Sequence, residues 1–469
     1  MRELLVAKIS AYMNVLISGV FVFVFGAVAA PVSAQDPTAE RPLGLEEAVS
    51  EALERNGDLR AARARTEGAR AGIRGASAFL YPTVAADAGL TASDDPVAVF
   101  GTRLRQERFT EADFALDALN RPDPVSDWTA GVGGRWAIGD AAAWAGREAA
   151  RMEAAAAELG LDRRREAVAF RTHVLYLAAL ASRAGAAAAD TALEAARASL
   201  EAVRARREQG FLTDADLLQA RAETAAARAR RTDARRRALD ARGRLGLHLG
   251  WSPDTLPRLT DDLLDGEPAT EAVEGDEGPA RADLRALDRA VAAADARARA
   301  ASRSRLPALE AFGRLSSHAA GLTDDRTAHW SAGVQVRVPL FTGLAVGASV
   351  DRARAARRAA EAERRQRLLE ARVEIREARR ALEAAREGSA AADAANRSAA
   401  EARRLVRRRF QEGMATTADL LQADARAASM ASRAVDARTE LRLAAVRLDF
   451  ARGTLLDHEP NDQGRILHD

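Results

Sequence analysis

Cysteine is absent from all 469 residues, which excludes disulfides, thiol catalysis, cysteine-ligated metal and a lipidated N-terminal cysteine. Aromatic residues are scarce at 4%, too few to fill the two or three compact cores that a chain of this length could otherwise hold. Proline is missing between residues 125 and 252 and between 340 and 459. Nothing in either stretch therefore breaks a helix by removing a hydrogen bond and clashing with the preceding turn. An excess of one charge sign is missing as well: 70 basic residues nearly balance 68 acidic ones, for a formal charge of +2. Arg alternates with Glu and Asp along helical faces, without the one-signed patch of a nucleic-acid binder. Beyond the N-terminus no run is apolar enough to cross a membrane as a helix.

What is abundant is Ala, Arg, Glu and Asp, the mixture of extended helices that pack through small side chains and carry charge outside. The first 34 residues read as a secretory signal, with Arg2 and Lys8 ahead of an apolar run from Val15 to Ala30. Val32-Ser33-Ala34 supplies the small-x-small cleavage site, and the run is shorter than the roughly 20 residues of a spanning anchor.

The chain is written twice. Asp58-Leu59-Arg60 and Pro82 recur as Asp283-Leu284-Arg285 and Pro307; Trp128, Ala130-Gly131-Val132 and Arg135 recur as Trp330, Ala332-Gly333-Val334 and Arg337. Residues 203–222 match 406–425 with 12 identities in 20 positions, including Gly210/Gly413, Thr213/Thr416 and two copies of Ala-Asp-Leu-Leu-Gln-Ala. Alanine bias cannot place Trp, Gly, Pro and Asp-Leu-Leu-Gln in register, so the pattern is a duplication. The first copy carries an insert at 94–127, with Pro96, Pro122 and Pro124, that reads as a long loop.

Each repeat then reads as helix, strand, loop, strand, long helix, tight turn, shorter helix. The first repeat is 35–248, with a leading helix over 44–78, strands near 83–92 and 128–138, a long helix over 142–208, a tip turn at 209–215 and a returning helix over 214–248. The second is 281–452, with a leading helix over 280–304, strands near 308–317 and 330–338, a long helix over 345–411, a tip at 412–417 and a returning helix over 417–452. Each long helix would run roughly 100 Å, a length suited to a span. Gly210 and Gly413 can take the left-handed conformation that ends a helix, and Thr213 and Thr416 follow as caps for the next. Residues 249–280, with four prolines and nine acidic residues against the single Arg258, read as an exposed linker, and 453–469 as a polar tail.

In the strand segments the period is two. Trp330, Ala332, Val334, Val336 and Val338 share one face, as do Trp128, Ala130, Val132, Trp136 and Ile138, and Val84, Ala86, Ala88 and Leu90. The strand from Leu309 to Ser317 is less regular, because Phe312 falls on the polar side with Glu310 and Arg314. Such segments match the length of membrane strands, but four cannot close a barrel whose minimum is about eight. Open edges in lipid leave backbone groups unsatisfied, so copies of the chain must supply the missing strands.

These features resemble the TolC-type outer-membrane efflux protein family over essentially the whole mature chain. Leu45-Glu46-Glu47-Ala48 with Asn56 and Asp58-Leu59 resembles its first helix. Leu80-Tyr81-Pro82 and Arg305-Leu306-Pro307 resemble the start of its strands, and Val338-Pro339-Leu340-Phe341 with Gly343 their exit. Gly210 to Ala220 and Gly413 to Ala423 resemble its two hairpin tips. The resemblance implies a mainly α fold with a small β part. In it a homotrimer forms a twelve-strand outer-membrane β-barrel continued by a twelve-helix periplasmic α-barrel. It implies a passive channel of a tripartite efflux or type I secretion system, partnered by outer-membrane lipid, a periplasmic adaptor and an inner-membrane transporter of the RND or ABC type. The tips, with Gly210, Phe211, Leu212, Thr213, Leu217, Leu218, Gly413, Met414, Ala415, Thr416, Leu420 and Leu421, would meet the adaptor.

The same resemblance gives Asp419 as an entrance-lining aspartate and Asp216 as one that holds the tip closed. Both also stand where the positive end of a helix dipole favours a carboxylate. The chain departs from the family pattern: Ala415 stands at the usual gate arginine, Phe410 at a tyrosine and Gln422 at a second aspartate. A latch would then use Arg206, Arg207, Arg408 or Arg409. His173, His248, His318, His329, His458 and His468 show no metal-ligand spacing and read as scattered surface residues. Gly131-Val132-Gly133-Gly134 lies inside an alternating strand and lacks the full dinucleotide motif, so no enzyme and no cofactor is expected. The competing reading is a secreted periplasmic coiled-coil scaffold, which leaves the four alternating segments unexplained.

Overall fold

The computed structural model describes residues 40–263 and 281–457; the expected signal, most of the acidic linker and the end of the tail lie outside the described residues. A short strand β1 (Arg41–Leu43) leads into α1 (Leu45–Arg55) and α2 (Gly57–Ala76). The single helix expected over 44–78 is therefore divided. Asn56 leaves helical geometry, its side-chain oxygen accepts from the backbone N–H of Asp58 and Leu59, and its amide donates 2.9 Å to the His248 carbonyl. An Asn cap thus restarts the helix.

After a 3-10 turn come β2 (Thr83–Ser93), α3 (Pro96–Arg105), α4 (Leu116–Asn120) and β3 (Val125–Gly139). The insert is not the loop its prolines suggest. Asp95 caps α3 by accepting from Ala98 N–H, and Pro96 occupies the first turn, where its missing N–H costs nothing.

The long helix α5 (Ala141–Glu208) and its return α6 (Asp214–Leu249) follow, then β4 (Pro257–Leu259), which pairs in parallel with β1. The second repeat supplies α7 (Ala282–Arg303), β5 (Ala308–Ala319), β6 (Thr327–Arg337), α8 (Ala345–Gln411) and α9 (Thr417–Arg452). α5 and α8 hold 68 and 67 residues, roughly 100 Å each. α5 packs against α2, α6, α7 and α9, and α8 against α7 and α9. Ala is the commonest buried residue of α5, which lets neighbouring backbones approach with few large side chains between them. That is how a chain with few aromatics sustains long packed helices.

The main apolar core sits where β1 and β4 cross the helices. Leu43, Leu59, Tyr176, Leu180, Leu245, Leu249, Trp251 and Leu259 pack there. The Tyr176 hydroxyl donates to the Leu43 carbonyl and lies 2.8 Å from Asp261. The expectation of an exposed linker is thus corrected for its first part, since Trp251, Leu259 and Leu263 are buried. Leu455 is likewise buried against Val49 and Ala169, so the tail begins packed.

The four longer strands form one antiparallel sheet in the order β2-β3-β5-β6. Its register puts Val84, Ala86 and Leu90, Trp128 and Val132, Leu315, and Trp330, Val334 and Val336 on one face. Asp87, Arg135, Glu310, Arg314 and Gln335 lie on the other, where Arg314 pairs with Asp87 at 2.6 Å. Phe312 fits on that polar face because it covers Gly333, where any Cβ would stand 2.8 Å from the ring. Large apolar side chains of the first face are exposed, Trp330 to 76%. β2 and β6 are free edges within the chain. Among the described residues no helix is long and apolar enough to cross a membrane.

Candidate site at the helical hairpin tips

Both long helices end in the same way. The N–H of Phe211 bonds to the Arg206 carbonyl and that of Gly210 to the Arg207 carbonyl; Met414 and Gly413 bond in the same pattern to Arg409 and Phe410. This pattern, six residues spanned outside and four inside, requires a left-handed residue after the cap, and Gly210 and Gly413 have φ of +81° and +83°. Thr213 and Thr416 then open the returning helices. Each hydroxyl accepts from the backbone N–H of Asp216 or Asp419, whose carboxylate accepts the Thr N–H in return, a complete capping box.

The hydroxyl and N–H of Thr213 hold the Asp216 carboxyl below the usual range, and those of Thr416 do the same for Asp419. Both stay ionised through the neutral range. Asp419 also feels the charge of Arg409, which donates to the Met414 carbonyl 3.3 Å away. The other candidate latch arginines go elsewhere in the single chain. Arg207 pairs with Asp214 at 2.7 Å, and Arg206 crosses between repeats to the Phe410 carbonyl, its guanidinium 5.2 Å from the Phe410 ring. Arg408 lies in the last turn of α8.

Phe410, expected at the gate, is 1% exposed and packs with Val203, Ala220, Leu420 and Leu421. Leu212 and Ala415 pack on the edge of the same cluster, which ties the two tips together, and Leu217 is also buried. Phe211, Leu218 and Met414 stay outside at 69%, 62% and 59% exposure, an apolar surface at the very tip.

One group escaped the reading of the sequence. Buried Asp424 of α9 accepts from the Ser199 hydroxyl of α5 at 2.5 Å and faces Arg407 of α8 at 3.6 Å. The signal that could have found it is a break in the duplication, since the first repeat has Arg221 where the second has Asp424. The expectation of surface histidines is corrected at His318 and His173, while His458 and His468 lie outside the described residues. His318 is buried against Asp127, and His173 has a buried Nδ1 without a hydrogen-bond partner. Burial drives the His173 pKa down to about 4. Among the described residues no cluster of three or more His, Cys, Asp or Glu is arranged to hold a metal.

The sequence profile described as outer membrane efflux protein matches residues 48–250 and 280–454, most of both repeats. This chain belongs to that family. The efflux protein is accordingly an outer-membrane channel component with its helical part in the periplasm. A comparison with curated protein sequences gives no match. Solved structures share the fold: a membrane protein from Pseudomonas aeruginosa, 22% identical, covers 90% of this chain and 92% of its own with a TM-score of 0.74. The outer membrane protein VceC of Vibrio cholerae, also 22% identical, covers 87% and 96% with a TM-score of 0.71. The open-state MtrE outer membrane channel of Neisseria gonorrhoeae, 21% identical, covers 88% and 89% with a TM-score of 0.68.

Proposed function

We propose that three copies of this efflux protein close their sheets into one twelve-strand barrel, and that the trimer is a passive conduit from a periplasmic adaptor and inner-membrane transporter to the outside. The observation that carries this reading is the four-stranded sheet, with one apolar exposed face and two unpaired edges. In lipid those edges would leave backbone groups without partners, and pairing β6 of one copy with β2 of the next satisfies them. The two tips pack together at the ends of helices of nearly equal length. They would form the tunnel entrance, with Asp419 as a ring of negative charge and Phe211, Leu218 and Met414 offered to the adaptor. Chemical cross-linking in outer-membrane vesicles should trap dimers and trimers and nothing larger, and the purified assembly should conduct ions across a planar bilayer. A soluble periplasmic monomer without conductance would instead favour a scaffold.

A further inference from the structure

We propose that the segment between β2 and β3 is a lid on the outer mouth of the barrel, a second constriction at the exit of the conduit. The proposal rests on the channel reading above, which makes the polar face of the sheet the lumen.

The segment has no counterpart in the second repeat, where β5 and β6 are joined by the seven residues 320–326. Register decides which face it covers. Asp127 is in phase with Thr129, Gly131 and Arg135 along β3; His318 lies between Thr129 and Thr327; His329 lies opposite Ser316, whose other neighbour is Gly131. Asp127, His318, Thr327 and His329 therefore share the face of the Asp87–Arg314 ion pair, at the end of the sheet away from the long helices.

Asp127, Thr327 and His329 hold the end of α3, and His318 backs Asp127. The Gln106 amide donates to Asp127 at 3.2 Å and to the Ser126 carbonyl at 2.9 Å, and Asp127 lies 2.8 Å from His318 Nδ1. The Arg105 carbonyl is 2.8 Å from His329 Nε2 and accepts the Thr327 hydroxyl. Gln106, Asp127 and His318 are buried, so this is a packed polar anchor, in which unpairing any member is costly. The segment also has its own small core. Phe109 meets Phe100 and Phe114 edge to face at 4.7 and 5.1 Å, and Arg103 pairs with Asp113.

A folded, anchored element on the lumen face must narrow the bore at that level. The segment leaves Val97 and Leu116 80% and 78% exposed, and Phe114 largely so. In a trimer the occupants of these apolar surfaces are the lids of the other two copies, brought together by the same strand pairing that closes the barrel. An apolar constriction of this kind impedes hydrated solutes by dewetting.

The absence of cysteine makes the test direct. Val97→Cys or Leu116→Cys, in the full trimer in a planar bilayer, is exposed on the outer side to a bulky, membrane-impermeant methanethiosulfonate. Current should be lost in proportion to labelling, and the paired change Gln106→Ala with His329→Ala should raise single-channel conductance by loosening the anchor. Complete labelling at both positions without loss of current, in channels that otherwise conduct, overturns the lid. No conductance from the parent protein overturns the channel reading and the lid with it.

Discussion

At the tips, backbone conformation and side-chain chemistry make separate demands. Gly210 and Gly413 both need positive φ, yet a Cβ on Gly210 meets nothing within 4 Å, whereas one on Gly413 would lie 3.0 Å from the Arg206 guanidinium. Valine at either position costs about 1–2 kcal/mol from the left-handed conformation alone. Gly413→Val should cost more, because it also displaces the arginine that bridges the tips. Limited proteolysis of the assembled protein should accordingly cut the tips faster in Gly413→Val than in Gly210→Val, with the barrel still intact. The capping carboxylates pose a different question. Asn keeps the acceptor for the Thr N–H but removes the charge, so Asp419→Asn should lower cation selectivity with little loss of helix stability. Asp216→Asn should raise conductance by loosening the closed tip. Surface-charge attraction is screened by salt, so the selectivity change should be largest in dilute salt and fade as salt rises. Unchanged reversal potentials at low salt would leave Asp419 as a helix cap alone.

Between elements, the joint that matters most lies where α5, α7, α8 and α9 meet. Arg281, fully buried, bonds to Asp283 at 2.8 Å and pairs with Glu374, while Arg163 stacks 3.7 Å over Phe450. Burial works to raise Asp283 and Glu374, but the bond and charge of Arg281 outweigh it and both carboxyls lie below their usual range. Their contribution to stability is therefore present above the ordinary carboxylate range and is lost as pH falls through the lowered folded values. Arg281→Ala should cost about 3 kcal/mol, the low end for a broken buried pair because both carboxylates keep some contact with water. Thermal melting of the detergent-solubilised protein would measure it. His173 acts earlier on the pH scale. Its folded pKa of about 4 lies below the ordinary 6.5, so the unfolded chain binds the extra proton and stability is lost as pH falls from 6.5 towards 4. His173→Leu should flatten the melting curve over that window and leave the steeper loss at lower pH, which belongs to the carboxylates.

For the whole molecule, the two faces of the sheet should respond in opposite ways to the same charge. Val334 is exposed on the apolar face, and its neighbour in β6, Gln335, is on the polar one opposite Glu310. Arginine at Val334 should cost about 2–4 kcal/mol in the bilayer, while arginine at Gln335 should be tolerated in an aqueous lumen. Heat-resistant trimer in outer-membrane fractions should drop for the first variant only. Equal losses would mean that the apolar face is not the lipid face.

The amino-acid sequence by itself determined the repeat, the long helices, the tip turns and the alternating strands, because each follows from local rules. Those rules are proline exclusion, glycine at a left-handed cap, Thr-x-x-Asp at a helix start and period two in a strand. It also misled where a local signal had two readings. Pro96 suggested a loop, although after Asp95 it opens a helix, and Asn56 hid inside a helical pattern as a cap that restarts the chain. Only the tertiary structure decided which neighbours each side chain meets. It buried Phe410 between the repeats, paired Asp424 with Ser199 and Arg407, and sank His318 against Asp127. Such contacts join residues up to 225 positions apart. They arise from how two copies of one repeat pack against each other, and a repeat pattern carries no record of its own packing partner.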